Sequence, residues 1–261
     1  MKVIDLNADI GEADTPEWAA AELGILTIVS SANIACGGHA GDEKTMRRTL
    51  RAAKENGVSV GAHPSYPDRQ NFGRRSLVLG QDILVQDLKN ALTEQINKLM
   101  DIAEEEGVTV NYVKPHGALY NDAVADRIKA DLIVETLKEI DPSLTLLGGP
   151  NSEMMKAAKA ANIKFVAEGF IDRRYTDEGH LRSRNLSGAV LNTEKERLAQ
   201  ALSLAIQSEV KTDTGDTLSI KAQSLCLHGD SAGVVESARK ARAALENAQI
   251  TIHPFVQKGT A

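Results

Sequence analysis

The stretch VIDLNADIGE, residues 3–12, joins a short apolar run to a cluster of polar residues. The same succession recurs along the chain, and longer amphipathic stretches separate the runs. The runs predicted as strands are 3–6, 25–29, 58–60, 110–113, 144–147, 164–167 and 225–227, with 250–252 as a further candidate. Seven or eight mostly parallel strands alternating with helices favour a (β/α) barrel, with a doubly wound open sheet as the alternative.

The predicted helices lie between these runs. They cover residues 42–56, 81–107, 122–140 and 230–244, and each carries apolar residues at helical spacing. Asp42, Asp122 and Asp230 stand where three of them begin, so we interpret these aspartates as N-caps.

Length and composition set the broad class of the protein. A chain of 261 residues with 42% hydrophobic and 25% charged residues is expected to form one globular domain over residues 1–261. A net charge of −6 without a run of Lys or Arg argues against nucleic-acid binding. No apolar stretch is long enough for a membrane span or a signal peptide, so we expect a cytoplasmic protein, with Cys36 and Cys226 reduced.

The candidate active site is expected where the polar clusters follow the strands. In β/α barrels the functional residues lie at the carboxyl ends of the strands. Histidines are concentrated there, since four of the six follow predicted strands. The candidate catalytic residues are Asp9, His39, His63, Lys114 and His116.

Two groups within this set indicate specific chemistry. Asp9, His39 and His63 offer oxygen and nitrogen ligands for Zn²⁺, Mn²⁺ or another divalent ion, although they could equally be unrelated polar residues that cap loops. Lys114 and His116 flank Pro115, which stiffens the turn. Lys114 could hold a carboxylate or an acyl phosphate and His116 could transfer protons, while a salt bridge to a nearby carboxylate is the alternative role for Lys114.

Two long connections, residues 64–80 and 172–192, are expected to cover the barrel mouth. Their arginines suit an anionic substrate, although both could be solvated surface loops. The candidate substrate-binding residues are Asn7, Glu12, Asn33, Arg74, Glu168, Asp172, Arg174 and His228. Neither a Walker motif nor a G-x-G-x-x-G motif is present, so this chain is not expected to bind ATP alone.

Several long motifs together resemble the LamB/YcsF family. They are DLNADIGE (5–12), SANIACGGHAGD (31–42), GAHPSYPD (61–68), FGRR (72–75), VKPHGALYN (113–121), EGFIDRRY (168–175) and LHGD (227–230). They occur along practically the whole chain, which makes the resemblance specific.

The resemblance implies a barrel like that of the glycoside hydrolase and deacetylase superfamily. It also implies the activity of the A subunit of ATP-dependent 5-oxoprolinase, which opens the lactam of 5-oxoproline to give L-glutamate, coupled to ATP hydrolysis, with B and C subunits. Two alternatives remain open: a metal-dependent carbohydrate deacetylase, and a non-catalytic subunit that only binds the substrate.

Overall fold

The computed structural model describes residues 2–184, 186–227 and 233–256. The strands are β1 (Lys2–Ile10), β2 (Ser31–Ala35), β3 (Ser59–His63), β4 (Val110–Val113), β5 (Thr145–Gly148), β6 (Phe165–Phe170), β7 (Glu209–Lys211), β8 (Thr217–Ser219), β9 (Ser224–Leu227) and β10 (Ile250–Ile252). The helices are α1 (Pro16–Leu26), α2 (Glu43–Glu55), α3 (Val85–Glu105), α4 (Gly117–Ala125), α5 (Arg127–Ile140), α6 (Glu153–Ala160), α7 (Glu194–Ile206) and α8 (Val234–Asn247).

Seven parallel strands form a closed barrel in the order β1 to β6, then β9. The last barrel strand, β9, pairs with both β6 and β1, so that Ser224 lies opposite Glu168 on one side and Asp5 on the other. This double pairing confirms the predicted barrel and excludes the open sheet. The strand β10 pairs with the first residues of β1, and β7 and β8 form a separate antiparallel hairpin.

The strand β1 has an apolar face and a polar face, because successive side chains of a strand point in opposite directions. Its outward residues pack into the hydrophobic core between barrel and helices: Ile4, Leu6, Ala8 and Ile10. Its inward residues make hydrogen bonds inside the barrel: Asp5, Asn7 and Asp9. The amino end of the barrel interior is closed by a small apolar cluster, in which Phe255 packs against Tyr112.

The second predicted strand was misplaced. Ile25 and Leu26 are the last residues of α1, and β2 starts only at Ser31. The run 25–29 is apolar because the end of this helix and the following turn are buried in the core. A short apolar run at a buried helix end cannot be told from a strand by periodicity.

The predicted helix starts were correct in one case and wrong in another. Asp42 caps α2, and its carboxylate accepts a hydrogen bond from the backbone N–H of Thr45 at 2.8 Å. Asp122 lies inside α4 and instead accepts hydrogen bonds from Tyr66 and Lys129. The predicted helix 122–140 is therefore two helices, and Asp126 caps the second.

Two further expectations concern parts of the chain away from the strands. Asp230 lies outside the described residues, and the helix predicted to start there begins at Val234. Both cysteines are free and buried, as predicted. Within the described ranges, none of the helices has the length and apolarity needed to cross a membrane.

Candidate active site

A pocket of about 310 Å³ opens at the carboxyl ends of the barrel strands. Six of the residues singled out from the sequence line it: Asp9, Glu12, His63, Arg74, Lys114 and His116. They come from β1 and β3 and from the loops that follow β1, β3 and β4. The closed barrel therefore gathers residues that are more than 100 positions apart in the chain.

Glu12 is surrounded by three histidines in one wall of the pocket. Its Oε1 atom lies 2.9 Å from His39 Nε2 and 3.3 Å from His116 Nδ1. His63 Nε2 lies 3.0 Å from His116 Nδ1, and the rings of His39 and His116 stack in parallel with centroids 3.5 Å apart. One ligand atom from each of these four residues falls within 4.8 Å of the others, so they form a group that could hold a metal ion.

Two of the histidines are held by backbone carbonyl groups. His63 Nδ1 lies 2.7 Å from the carbonyl oxygen of Lys114, and His116 Nε2 lies 3.0 Å from that of Phe72. A carbonyl oxygen only accepts, so these two nitrogens carry the hydrogens and donate. The other nitrogens of the two rings, His63 Nε2 and His116 Nδ1, lie 3.0 Å apart beside the Glu12 carboxylate. Three acceptor atoms this close together repel unless a cation, either a proton or a metal ion, lies among them.

The charges of the cluster agree with such a cation. Burial raises the pKa of Glu12, but hydrogen bonds with His116 and His39 outweigh it and keep this pKa below its usual value. Burial lowers the pKa of His39 to about 3 and also lowers that of His116. The cluster thus holds an ionised carboxylate beside the neutral imidazoles of His39 and His116, and its mixed oxygen and nitrogen donor set suits Zn²⁺ and similar ions. Carbonyl groups that orient ligand histidines are typical of metal sites.

Lys114 is buried between two carboxylates in the floor of the pocket. Its Nζ atom lies 3.0 Å from Asp9 Oδ1 and 2.8 Å from Glu168 Oε1. Burial alone would lower the pKa of the ammonium group, but the neighbouring negative charges raise it well above its usual value. Lys114 therefore remains charged, and the salt bridge considered as its alternative role is present. Its contact with a substrate anion stays a prediction.

Asp9 connects this floor to the histidine cluster. Its Oδ1 atom accepts hydrogen bonds from Lys114 and from Asn33, the latter at 2.7 Å. Its Oδ2 atom lies 3.4 Å from His63 Nε2. Among the described residues, the group that could hold a metal ion takes its carboxylate from Glu12. Asp9, the carboxylate predicted as a metal ligand, lies next to this group.

Three arginines also line the pocket: Arg74, Arg173 and Arg184. Arg173 is 4% exposed and donates a hydrogen bond to the carbonyl oxygen of Arg182 at 2.6 Å. Burial and the nearby charge of Arg184 lower the pKa of Arg173 to about 10. An anion placed beside Arg173 and Arg184 would offset their repulsion, so the pocket arginines suit a carboxylate or a phosphoryl group.

Several predicted substrate-binding residues lie elsewhere. Asn7, Asn33 and Glu168 are fully buried and are not among the residues that line the pocket. Their side chains meet other side chains inside the barrel, below the pocket floor. The polar residues of β1, β2 and β6 were assigned to the pocket because a sequence does not reveal how deep each layer lies.

Two of the three remaining predicted residues also fall outside the pocket. Asp172 lines a separate small cavity beside Arg197. Arg174 points away and contacts Gly188 and Glu196. His228 lies outside the described residues.

Two of the three pocket arginines, Arg173 and Arg184, were not predicted from the sequence. Arg173 and Arg174 are adjacent, and no spacing rule selects which of the two enters the pocket. Arg184 belongs to the connection 172–192, whose charge was noticed, but its individual position was not. Glu12 was assigned to substrate binding, although the structure places it at the centre of the histidine cluster.

Comparisons with known proteins extend over nearly the whole chain. The model of the LamB/YcsF family matches residues 4–260. A relative from Agrobacterium fabrum, named as an A subunit of 5-oxoprolinase, is 44% identical over 98% of this chain and 98% of its own length. The crystal structure of a lactam utilization protein from Thermus thermophilus is 35% identical, covers 98% of this chain and 100% of its own, and superimposes with a TM-score of 0.87.

A more distant likeness concerns the fold alone. A family 4 carbohydrate esterase from Streptomyces lividans shares 12% sequence identity and a TM-score of 0.50, and covers 98% of this chain and 93% of its own. The sequence motifs, the closed barrel and the whole-length matches agree with one another, and the chain therefore belongs to the LamB/YcsF family.

Proposed function

We propose that this chain is the A subunit of an ATP-dependent 5-oxoprolinase and that its pocket opens the lactam ring of 5-oxoproline, leading to L-glutamate. The observation that carries the proposal is the arrangement of the pocket. One pocket is lined by Asp9, by members of the Glu12 cluster, by Lys114 and by three arginines. The names of the relatives, an A subunit of 5-oxoprolinase and a lactam utilization protein, support the choice of substrate.

The reaction needs an activation step that this chain is not equipped to perform. A lactam is a resonance-stabilised amide, and its carbonyl carbon reacts slowly with water. Phosphorylation of the carbonyl oxygen by ATP makes that carbon electrophilic. Because the chain carries no recognisable nucleotide-binding motif, we assign this step to the partner B and C subunits.

The proposed step in this pocket is the opening of the phosphorylated ring by one water molecule. The water oxygen bonds to the activated carbon, and the carbon–nitrogen bond breaks. Both protons of the water end on the nitrogen, which leaves as an amine, and an open-chain acyl phosphate remains. A second water molecule then releases phosphate and gives glutamate. Asp9 can carry a proton between water and nitrogen, because its carboxylate lines the pocket and its Oδ2 atom lies 3.4 Å from His63 Nε2.

The Glu12 cluster is the proposed site for a divalent ion. Glu12, His39, His63 and His116 would hold the ion through one carboxylate oxygen and the imidazole nitrogens. Such an ion supplies Lewis-acid stabilisation for an oxygen that becomes negative during the reaction.

The three pocket arginines are the proposed anchor for the negative groups of the substrate. 5-Oxoproline carries a carboxylate, and the activated ring also carries a phosphoryl group. Arg173 is fixed by its hydrogen bonds to backbone carbonyl groups, so it can meet an anion with little loss of side-chain freedom. The arginines would hold the ring while the reacting carbon faces Asp9 and the histidines.

The test is an assay for glutamate formation from 5-oxoproline and ATP, with and without the B and C proteins. We expect no useful turnover from the isolated chain and ATP-dependent turnover from the three proteins together. Robust ATP-dependent activity of the isolated chain would overturn the division of labour. Such a reaction consumes ATP, which fits the cytoplasmic location expected from the sequence.

The same assay separates the two alternative functions. A carbohydrate deacetylase would release acetate from acetylated sugars with a bound divalent ion and without ATP. A protein that only presents the substrate would tolerate loss of Asp9, because the chemistry would then lie in the partner proteins.

A further inference from the structure

The barrel interior contains a continuous column of hydrogen-bonded side chains below the pocket. At its lower end the Asp5 carboxylate accepts hydrogen bonds from Ser30 and Ser31, each at 2.6 Å, and from Ser224. Ser224 accepts from Asn7 Nδ2 at 2.7 Å. Asn7 Oδ1 accepts from Asn33 Nδ2 at 2.8 Å, and the column thereby reaches β2.

Asn33 is the branch point between this column and the pocket. Its Nδ2 atom donates to Asn7 and also to Asp9 Oδ1, at 2.7 Å. Its Oδ1 atom accepts from the Tyr112 hydroxyl at 2.8 Å. Burial keeps the pKa of Tyr112 well above its usual value, so the phenol stays protonated and donates. This hydroxyl fixes the orientation of the Asn33 amide, because only the amide oxygen can accept from it.

The contact between Tyr112 and Asn33 depends on a glycine of the strand between them. Gly61 on β3 lies opposite Asn33 on one side and Tyr112 on the other. A Cβ atom at Gly61 would lie 2.2 Å from the Tyr112 ring. The tyrosine therefore crosses β3 only because position 61 carries no side chain.

We propose that Asn33 is a positioning residue for Asp9, with Tyr112 fixing the direction of its amide. Asn33 and Lys114 together hold Asp9 Oδ1, and this orientation of the carboxylate places Oδ2 3.4 Å from His63 Nε2. Asn33 is fully buried, so it acts through Asp9 rather than on the substrate. The proposal rests on the proposed function, since it assumes that Asp9 takes part in ring opening.

The chemistry of the column indicates orientation rather than proton transfer. Amide groups neither release nor take up protons readily, and two of them, Asn7 and Asn33, separate Asp5 from Asp9. The two amides bond to each other, and Asn33 also bonds to the Asp9 carboxylate, which only accepts. The hydroxyl groups of Tyr112 and Ser224 donate to Asn33 and Asp5, respectively. These bonds favour a single orientation of each amide group. A network satisfied in this way holds a functional carboxylate in a fixed geometry.

The first test is a double-mutant cycle in the reconstituted three-protein reaction. Asn33→Leu keeps the size of the side chain and removes its hydrogen bonds. We expect kcat to fall by about tenfold or more with KM nearly unchanged, because only the reacting geometry is lost. In the Asp9→Asn background the same substitution should have an effect of about twofold or less, since its target is already removed. Independent losses that multiply in the double variant would overturn the proposal.

A second variant and a matched control guard against a folding defect. Tyr112→Phe removes only the hydroxyl that orients Asn33 and should lower kcat by about threefold to tenfold, again through Asp9. Asn111→Leu removes a buried amide on β4 that donates a hydrogen bond to Ser59, and it should cost stability without changing kcat. If Asn33→Leu does not unfold cooperatively, the cycle is run with Tyr112→Phe.

The outcomes distinguish this inference from the proposed function. Near-normal turnover of Asp9→Asn would contradict the catalytic role of Asp9, on which the inference rests. A large loss in Asp9→Asn with normal turnover in both Asn33→Leu and Tyr112→Phe would contradict the positioning role alone.

Discussion

The two faces of β1 carry side chains with different roles. Outward residues such as Leu6 are buried among the helices in the hydrophobic core. Inward residues such as Asp9 are also buried but bind other polar groups through hydrogen bonds and a salt bridge. In most β/α barrels both faces of the strands are apolar. In β1 the outer face alone makes the hydrophobic contacts. The inner face can therefore carry the polar residues of the site.

Substitutions on the two faces should therefore separate stability from activity. Burying charge is costly unless each charge is paired, so the inner face also contributes to stability through its pairs. The largest effect is expected from a residue whose loss affects both properties, and the smallest from a residue that belongs to neither face.

Lys114→Ala should give the largest effect, because it leaves Asp9 and Glu168 without their shared cation inside the barrel. We expect a loss of about 3–5 kcal/mol in the free energy of unfolding, together with loss of turnover. Lys129→Ala is the matched control, since Lys129 is 8% exposed and pairs with Asp122, and neither residue lines the pocket. It should lower stability and leave kcat unchanged. Chemical denaturation and the reconstituted assay measure both, and a stable, active Lys114→Ala chain would contradict the account.

Leu6→Ala tests the outer face of the same strand. Leu6 is fully buried, and its truncation should cost about 3 kcal/mol of stability through lost contacts and the cavity left behind. Turnover per folded molecule should stay normal, because no atom of the pocket is removed. A drop in kcat at a temperature where the variant remains folded would show that the two faces are not independent.

The buried carboxyl of Asp5 predicts a dependence of stability on pH. Burial raises the pKa of Asp5 from its ordinary 3.8 to about 6, so the folded state takes up a proton at a higher pH than the unfolded state. For this group, stability therefore rises as the pH falls through 6 towards 3.8. Between about pH 7 and about pH 4.5 the gain is about 2 kcal/mol.

This gain is measured against Asp5→Asn, which cannot titrate. Urea denaturation of both proteins across this pH range should show that the free energy of unfolding of the wild type rises relative to that of the variant as the pH is lowered. A constant difference between the two would mean that Asp5 has an ordinary pKa, and the polar column would then need a different charge assignment.

Asp42→Ala should give the smallest effect. Asp42 caps α2 on the outside of the barrel, and loss of an N-cap costs about 1 kcal/mol. Its carboxylate accepts a hydrogen bond from the backbone of Thr45, which belongs to the helix and not to the pocket lining. The thermal midpoint should fall by a few degrees with kcat unchanged, and a fall in kcat would assign Asp42 a role at the barrel mouth.

The strand and helix order of the barrel could be predicted because its outer apolar residues recur with clear spacing. The strand β1 was predicted too short, over residues 3–6 rather than Lys2–Ile10. Its inward residues are polar, so Asn7 and Asp9 looked like the start of a loop. The same feature that creates the site thus concealed the length of the strand.

The pocket could be predicted only in part, since its residues depend on depth and direction inside the barrel. Asp9, His63, Lys114 and His116 follow or end strands, and the structure brings them together. The depth of Asn33 and the choice of Arg173 over Arg174 depend on strand register and loop path. Neither leaves a periodic signal in one sequence.

The most direct test of the account measures glutamate formation from 5-oxoproline by the chain with its B and C partners, for wild type and for Asp9→Asn and His63→Ala. We expect ATP-dependent turnover with the wild type and a fall in kcat of about a hundredfold or more in each variant, equivalent to about 2.7 kcal/mol. Thermal unfolding should confirm that both variants remain folded at the assay temperature. Turnover near that of the wild type in both folded variants would contradict the claim that the inner face of this barrel carries the chemistry.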